Sequence, residues 1–207
     1  MRPERKLYFI TNGMADKGFD TLGVVEKAVL AGVRAVQIRE KGLDGARLFE
    51  LAVKVKAIAA KYGAKVFVND RIDVALASGA KGAHLGEAGM PVTDARRICP
   101  KGFLIGASAH SVEGALKAEA DGADFVTLGP VYFTESKAAY GSPIGLEPVK
   151  KTAAVIRIPL IAIGGIKENN IGEVINAGAS GVAVISAIAS SKDPEKSAKQ
   201  LLGALNA

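Results

Sequence analysis

Two apolar segments in the last quarter of the chain end in small residues that favour phosphate binding. Residues 159–163 run into Gly164 and Gly165, and residues 181–185 run into Ser186. If each segment is a buried strand followed by a helix, backbone N–H groups lack partners where the helix begins. Such groups bind phosphate without needing a basic side chain. The two segments therefore predict a site for a phosphorylated small molecule.

Polar residues also occur at the end of the apolar segment that spans residues 35–40. Strand alternation places Gln37, Arg39 and Lys41 on one side of that segment. A buried arginine is costly unless it is paired, and its planar set of donors suits a phosphate. Arg39 therefore predicts an anion site. An ion pair between Arg39 and a carboxylate inside the fold is the alternative that the spacing leaves open.

Asp70 stands at the end of a third apolar segment, residues 65–69, among polar neighbours. A carboxylate in that place is a candidate ligand for Mg²⁺. Capping of a helix over residues 71–77 explains it equally well. Asp73 is expected in the first turn of that helix, where the helix dipole favours a negative charge.

The two histidines of the chain, His84 and His110, belong to separate strand-like segments. Because no third ligand stands near them in the sequence, they do not predict a zinc site. A structural role is the expectation for His84. Ser108 ends a neighbouring segment and is a candidate polar contact for a ligand.

A long polar connection spans residues 131–145 and carries Thr134, Ser136 and Lys137. Three donors within four residues favour an anion, although a solvated loop lysine is the simpler interpretation of Lys137. A connection of this length in a compact domain is usually functional and often covers a site.

The composition sets broad limits on the function. The chain has 207 residues, 49% of them hydrophobic, with a net charge of +6. Its Lys and Arg residues are scattered, so no nucleic-acid partner is expected. No apolar run reaches the roughly 18 residues of a membrane span, and no signal peptide is recognisable. The single cysteine, Cys99, fits a reducing cytoplasm, where we expect the protein to reside.

The chain is predicted to repeat one strand–helix unit, with a period of roughly 25 residues, in a single domain over residues 1–207. This pattern predicts an α/β fold, a (β/α)8 TIM barrel, with an open doubly wound sheet as the alternative. Glycines at 32, 79, 122 and 178 are expected to end helices just before strands. The predicted strands cover residues 6–11, 35–40, 65–69, 82–86, 104–109, 125–130, 160–164 and 182–186.

Seven motifs along nearly the whole chain together resemble the family of thiamine phosphate synthase (thiamine-phosphate pyrophosphorylase) and its TenI-type relatives. Singly, several of them are ordinary barrel signals, but their joint order is specific. They are QIREK at 37–41, VNDRIDVAL at 68–76, HLG at 84–86, GASAHS at 106–111, GPVYFTESK at 129–137, IAIGGI at 161–166 and VAVISAI at 182–188.

The resemblance implies a barrel enzyme that joins hydroxymethylpyrimidine diphosphate to thiazole phosphate. In this family pyrophosphate leaves first, and the thiazole nitrogen captures the resulting pyrimidine-methylene cation. The resemblance also implies a Mg²⁺ cofactor bound by Asp70, with Arg39, Lys137 and Ser108 as catalytic residues. It places Arg39, Lys41, Asn69 and Lys137 at the diphosphate, Gln37 and Ser108 at the pyrimidine, Thr134 and Ser136 at the thiazole phosphate, and Gly165, Ile185 and Ser186 at its backbone phosphate site.

This chain departs from the family pattern after HLG. Synthases usually carry Gln-x-Asp there, and that Asp is a second Mg²⁺ ligand. Here Glu87 fills the Gln position and Gly89 fills the Asp position. Glu87 is a candidate substitute after a modest loop shift. Mg²⁺ keeps water and phosphate oxygens as most of its ligands, so the loss weakens such a site without necessarily abolishing it.

Two other functions stay open at this point. One is a TenI-like thiazole phosphate tautomerase, although the histidine that the tautomerase carries after the strand-six Gly is Pro130 here, as in synthases. The other is a non-catalytic protein that binds thiazole or thiamine phosphate. Isolated barrels of this kind often associate, so a homo-oligomer is one expected state.

Overall fold

The chain folds into a closed barrel of parallel strands surrounded by helices. The computed structural model describes residues 6–14, 20–134 and 142–207. Its eight strands pair in chain order, and β8 closes the barrel by pairing with β1. The predicted (β/α)8 barrel is therefore confirmed, and the open doubly wound sheet is wrong.

The strands are short, and most are followed by one helix. The strands are β1 Lys6–Ile10, β2 Ala35–Ile38, β3 Lys65–Asn69, β4 Gly82–Leu85, β5 Leu104–Ala109, β6 Phe125–Leu128, β7 Leu160–Ile163 and β8 Gly181–Val184. The helices are α1 Thr21–Leu30, α2 Gly45–Ala60, α3 Ile72–Ala77, α4 Val92–Ile98, α5 Val112–Ala120, α6 Leu146–Val155, α7 Ile171–Asn176, α8 Ser186–Ala189 and α9 Pro194–Asn206.

Several strands end one or two residues before their predicted ends. At β2, for example, the backbone N–H of Arg39 donates to the Thr11 hydroxyl at 3.0 Å, not to a backbone carbonyl of a neighbouring strand. At this strand end a polar side chain thus takes a bond that the backbone ladder would make. The carboxyl ends of the strands together form one end of the barrel, which we call the mouth.

Two apolar layers hold the barrel together. The inner layer fills its centre with side chains from alternate strand positions, including Tyr8, Ile10, Phe67, Ile161 and Ala183. The rings of Tyr8, Phe67 and Phe125 meet edge to face there, with centroids 5.3 to 5.7 Å apart. The opposite faces of the strands pack against the helices. This filled centre is a packed core and not a pore, so ligands have access only at the ends.

The helix-ending glycines are as predicted. Gly32, Gly79, Gly122 and Gly178 all have positive φ, between 66° and 118°. Side chains carry this backbone conformation at a cost that glycine avoids. Within the described ranges, no helix combines the length and the apolar character that a membrane crossing requires.

Candidate active site at the barrel mouth

The strand register places a group of polar side chains inside the upper half of the barrel. Asn69 pairs with His84, and Ser108 pairs with Thr127. Gln37 pairs with Phe67 of the inner layer, so its side chain points the same way. Gln37 is only 1% exposed, and its amide nitrogen has no partner within the described part of the chain. A buried donor in this state is costly, so Gln37 is ready to bind a ligand at the mouth.

Arg39 is the half-buried cation of the mouth. Its guanidinium donates to the side-chain carbonyl of Asn12, just beyond the end of β1. Among the described residues it forms no ion pair, so the alternative of an internal Arg39–carboxylate pair is not observed there. Asn12 therefore orients a guanidinium whose charge stays available for an anion. Lys41 lies on the exposed turn that follows.

Asp70 is held in place by two donors at the ends of β3 and β4. Its Oδ1 accepts from the Gly86 backbone N–H at 2.8 Å, and its Oδ2 accepts from the Asn69 amide at 2.7 Å. Its φ is +57°, in the left-handed region that Asp and Asn tolerate best among side-chain-bearing residues. The Asp70 side chain does not cap α3, because Arg71 occupies the cap position without a side-chain bond. The capping interpretation is therefore wrong, whereas Asp73 does lie in the first turn of α3, as predicted.

The two departures from the family pattern, at Gly89 and Glu87, have different surroundings. A Cβ atom built on Gly89 would be 2.9 Å from Asp70 Oδ1, so a side chain at this position would start beside that carboxylate. The Glu87 carboxylate instead lies 3.8 Å from the Nε2 atom of His110, and both side chains are about half exposed. The His110 ring is bound on its other side to the Gly129 carbonyl.

The donor set at Asp70 fits a weakly held divalent cation. In the described ranges, no three acidic, His or Cys residues cluster in a way that could hold a metal ion. Mg²⁺ is commonly bound through one or two carboxylates, with water and substrate phosphate oxygens as the other ligands. Each Asp70 oxygen accepts only one of the bonds described above and retains a lone pair. Asp70 thus supplies the one carboxylate that a Mg²⁺ site needs at the least.

His84 links three strands beneath this site. Its Nε2 atom lies 3.1 Å from the Ser108 hydroxyl oxygen and 3.3 Å from that of Thr127. Burial lowers the pKa of His84 to about 4; the smaller effect of the Asp70 charge raises it, and that of the Arg39 charge lowers it further. The imidazole is therefore neutral near pH 7. Sequence reasoning predicted a structural role for His84 but missed its bond to Ser108, which the alternation of β4 and β5 would have indicated.

We expect His84 to make the protein less stable in mild acid. Because the pKa of its folded state lies below the ordinary 6.5, the unfolded chain binds the proton first as pH falls. The stability is complete above about pH 6.5 and declines as pH falls towards about 4. Between about pH 7.5 and about pH 5 the loss from this residue is about 2 kcal/mol. Urea unfolding at both pH values measures it.

The comparison of the parent chain with His84→Gln tests this assignment, because glutamine is polar but does not titrate. His84→Gln should reduce the pH dependence of the unfolding free energy by about that amount. An equal pH dependence in the two proteins would contradict the assignment.

The opposite side of the mouth is built from backbone. Gly165 has a φ of +63°, and a Cβ there would lie 2.5 Å from the Phe133 carbonyl oxygen. The backbone N–H groups of Gly165 and Ser186 form no hydrogen bond with another described residue. Ile185 precedes the short helix α8 without capping it through a side chain. This arrangement offers N–H donors to an anion without a basic side chain, as the sequence suggested.

The connection after β6 lies directly against this backbone site. The Tyr132 N–H donates to the Gly164 carbonyl at 3.0 Å, and its hydroxyl donates to the Glu173 carboxylate on α7 at 2.9 Å. Thr134 is half-buried two residues further on. Ser136 and Lys137 lie outside the described residues, so their predicted roles stay predictions.

A family model described as "Thiamine monophosphate synthase" matches residues 7–188 of this chain. A relative from Geobacter sulfurreducens is 51% identical over 199 residues, which cover 96% of this chain and 93% of the relative; its name gives thiamine-phosphate synthase as a provisional activity. The thiamine-phosphate synthase of Methanoculleus marisnigri is 45% identical over 195 residues, covering 94% of this chain and 92% of that protein.

A solved structure is similar over almost the whole fold. It is the thiamine phosphate pyrophosphorylase from Pyrococcus furiosus, with a TM-score of 0.90 and 36% sequence identity. The similarity covers 99% of this chain and 97% of that one. The two proteins thus share the barrel fold.

Proposed function

Because this chain belongs to the thiamine monophosphate synthase family, we propose that it joins hydroxymethylpyrimidine diphosphate to thiazole phosphate, giving thiamine phosphate and pyrophosphate. The observation that carries the proposal is the pair of anion sites at one barrel mouth. Arg39 lies on one side, together with the cation that Asp70 would hold, and the N–H groups of Gly165 and Ser186, which have no partner among the described residues, lie on the other. Two anionic substrates that react with each other need two such sites facing one space.

On the first side, the residues favour loss of pyrophosphate from the pyrimidine. Arg39 neutralises charge on the departing diphosphate, assisted by Lys41, Asn69 and Lys137. Gln37 and Ser108 bind the pyrimidine from inside the barrel and hold its methylene carbon towards the second substrate. The bond from carbon to oxygen breaks with both electrons on pyrophosphate, leaving a pyrimidine-methylene cation.

On the second side, the thiazole phosphate is held so that its ring nitrogen attacks that cation. Gly165, Ile185 and Ser186 bind the phosphate through backbone, and Thr134 and Ser136 supply hydroxyl groups. The nitrogen lone pair forms the new bond to carbon, so no proton has to be transferred. Because water would capture the cation as readily as the thiazole would, the loops at the mouth must exclude it.

Mg²⁺ is part of the proposal, with Asp70 as the residue that holds it. When bound, the ion neutralises charge on the diphosphate oxygens. Asp70 contributes one carboxylate, oriented by Gly86 and Asn69. Since Gly89 offers no second carboxylate, we expect this protein to need more Mg²⁺ than relatives that carry Asp there.

The test is an assay with both substrates and a series of Mg²⁺ concentrations. We expect thiamine phosphate and pyrophosphate in equal amounts, and neither product when either substrate is left out. The absence of thiamine phosphate at every Mg²⁺ concentration would overturn the proposal. Conversion of a thiazole phosphate tautomer without the pyrimidine would indicate the tautomerase instead, and tight binding of thiazole phosphate without turnover would indicate a binding protein.

The expected homo-oligomer and the cytoplasmic location remain part of this proposal. Exposed apolar side chains on neighbouring helices, such as Phe49, Val53 and Leu76, are compatible with association. Sedimentation of the purified protein would test the oligomeric state.

A further inference from the structure

The centre of the barrel contains a polar contact between three strands that the proposed reaction does not by itself explain. His84 on β4 lies between Ser108 on β5 and Thr127 on β6. His84 is 2% exposed and Thr127 is 3% exposed, whereas Ser108 is partly accessible. Only one member of the group therefore reaches the space where a substrate would lie.

The two ring nitrogens of His84 have different surroundings. Nε2 faces both hydroxyl groups, but Nδ1 has no partner within the described part of the chain. A Cβ on Gly106 would lie 2.6 Å from Nδ1, and the same added atom would collide with the Phe125 ring. Nδ1 thus faces apolar groups and bare backbone at the centre of the barrel.

These surroundings decide which nitrogen carries the proton. A doubly protonated ring would bury a second N–H at Nδ1, where no described group accepts it, so one nitrogen is a donor and the other an acceptor. A buried N–H without a partner is rarer in folded proteins than an acceptor that lacks one. The proton therefore resides on Nε2, where two hydroxyl oxygens can accept it, and Nδ1 keeps an unused lone pair.

This tautomer determines what Ser108 can do. The Nε2–H group of His84 then donates to the Ser108 oxygen at 3.1 Å, the shorter of the two distances. The Ser108 hydroxyl therefore does not donate its own hydrogen to His84. It is free to point towards the mouth. The Thr127 hydroxyl oxygen, at 3.3 Å, is a second and more distant acceptor for the same N–H.

We propose that His84 is a positioning residue that holds Ser108 as a hydrogen-bond donor towards the pyrimidine of the first substrate. The inference rests on the proposed function, because Ser108 is placed at the pyrimidine there. A pyrimidine ring nitrogen carries a lone pair and is the acceptor that such a hydroxyl recognises. His84 itself touches no substrate.

The primary test compares His84→Gln, which keeps a side-chain N–H donor, with His84→Leu, which has none. We expect His84→Leu to raise KM for the pyrimidine diphosphate about tenfold, a change typical of a lost buried hydrogen bond. KM for thiazole phosphate should stay within about twofold, and His84→Gln should recover part of the loss. Equal changes in both KM values, or no recovery by Gln, would overturn the proposal.

Two further measurements do not depend on turnover, so they separate failure of this inference from failure of the proposed function. Nitrogen NMR of the labelled parent chain should report a neutral His84 with its proton on Nε2; a proton on Nδ1 would overturn the proposal. Calorimetry with the pyrimidine diphosphate should show weaker binding to Ser108→Ala, with little further weakening when His84→Leu is added. Full additivity would show that His84 does not act through Ser108.

If His84→Leu does not fold, Thr127→Val gives the second route to the same answer. It removes one hydroxyl acceptor while keeping the shape of the side chain, and it leaves Nε2–H to Ser108 alone. We expect its KM for the pyrimidine diphosphate to stay within about twofold of the parent value and the Nε2 tautomer to persist. Loss of that tautomer in Thr127→Val would contradict the assignment of Ser108 as the main acceptor.

Discussion

Replacing Arg39 with Gln is expected to lower kcat/KM for the pyrimidine diphosphate by about 100- to 1,000-fold. Arg39 is the half-buried cation of the described mouth, and Asn12 fixes the direction of its guanidinium. Without Arg39, the negative charge that develops on the leaving pyrophosphate would no longer be stabilised by a guanidinium that is already oriented. Steady-state kinetics with saturating thiazole phosphate measure the change, which should appear mainly in kcat.

Two variants make this result specific. Arg39→Lys keeps the charge but loses the planar pair of donors, so it should recover only part of the rate. Arg34→Gln is the matched control, because the Arg34 guanidinium donates to the carbonyls of Val29 and Val33, away from the mouth. Similar losses in the Arg34 and Arg39 variants would show that the effect comes from folding and not from the site.

Much of the fold was predictable because each strand is a short apolar run between polar, glycine-marked connections. β3 and β5 match their predicted bounds completely. The other strands end one or two residues before their predicted ends, as β2 does at Ile38, after which the Arg39 N–H donates to the Thr11 side chain. Strand propensity describes the apolar interior well, but the last one or two residues depend on contacts between strands that no single segment contains.

The site was predictable in part for the same reason. Parallel strands bring their carboxyl ends to one face, so polar residues there, such as Arg39, Asp70 and Ser108, were found from their position alone. Asn12 and Thr127 were missed, although each carries a usable signal. Asn12 is polar directly after a strand, and Thr127 stands two residues after the inward-facing Phe125.

Other features of the site depend on tertiary geometry. The positive φ of Asp70 and its bond to the Gly86 N–H arise from how β3 and β4 end side by side. Nothing in the local sequence distinguishes that arrangement from a helix cap. Likewise, the orientation of Glu87 towards His110 depends on the end of a neighbouring strand.

Replacing Asp70 with Asn is expected to reduce activity about 100-fold or more at a fixed Mg²⁺ concentration. Asn tolerates the left-handed backbone of this position, and its carbonyl oxygen can still accept from Gly86, so the local fold should persist. The negative charge is lost, together with the bond that Oδ2 accepts from the Asn69 amide at 2.7 Å. Calorimetric titration of Mg²⁺ in the presence of pyrophosphate gives a readout apart from activity, and we expect about tenfold weaker binding.

Two acidic neighbours show whether the effect belongs to Asp70. Asp73→Asn removes a carboxylate three residues away that is paired with Arg71 at 2.6 Å on the surface, so it should leave Mg²⁺ binding and activity unchanged. Glu87→Gln tests whether Glu87 supplies the second carboxylate. Because its side chain lies beside His110, we expect Mg²⁺ binding to change less than twofold. Strong loss in Glu87→Gln together with normal binding in Asp70→Asn would move the cation site from β3 to the loop after β4.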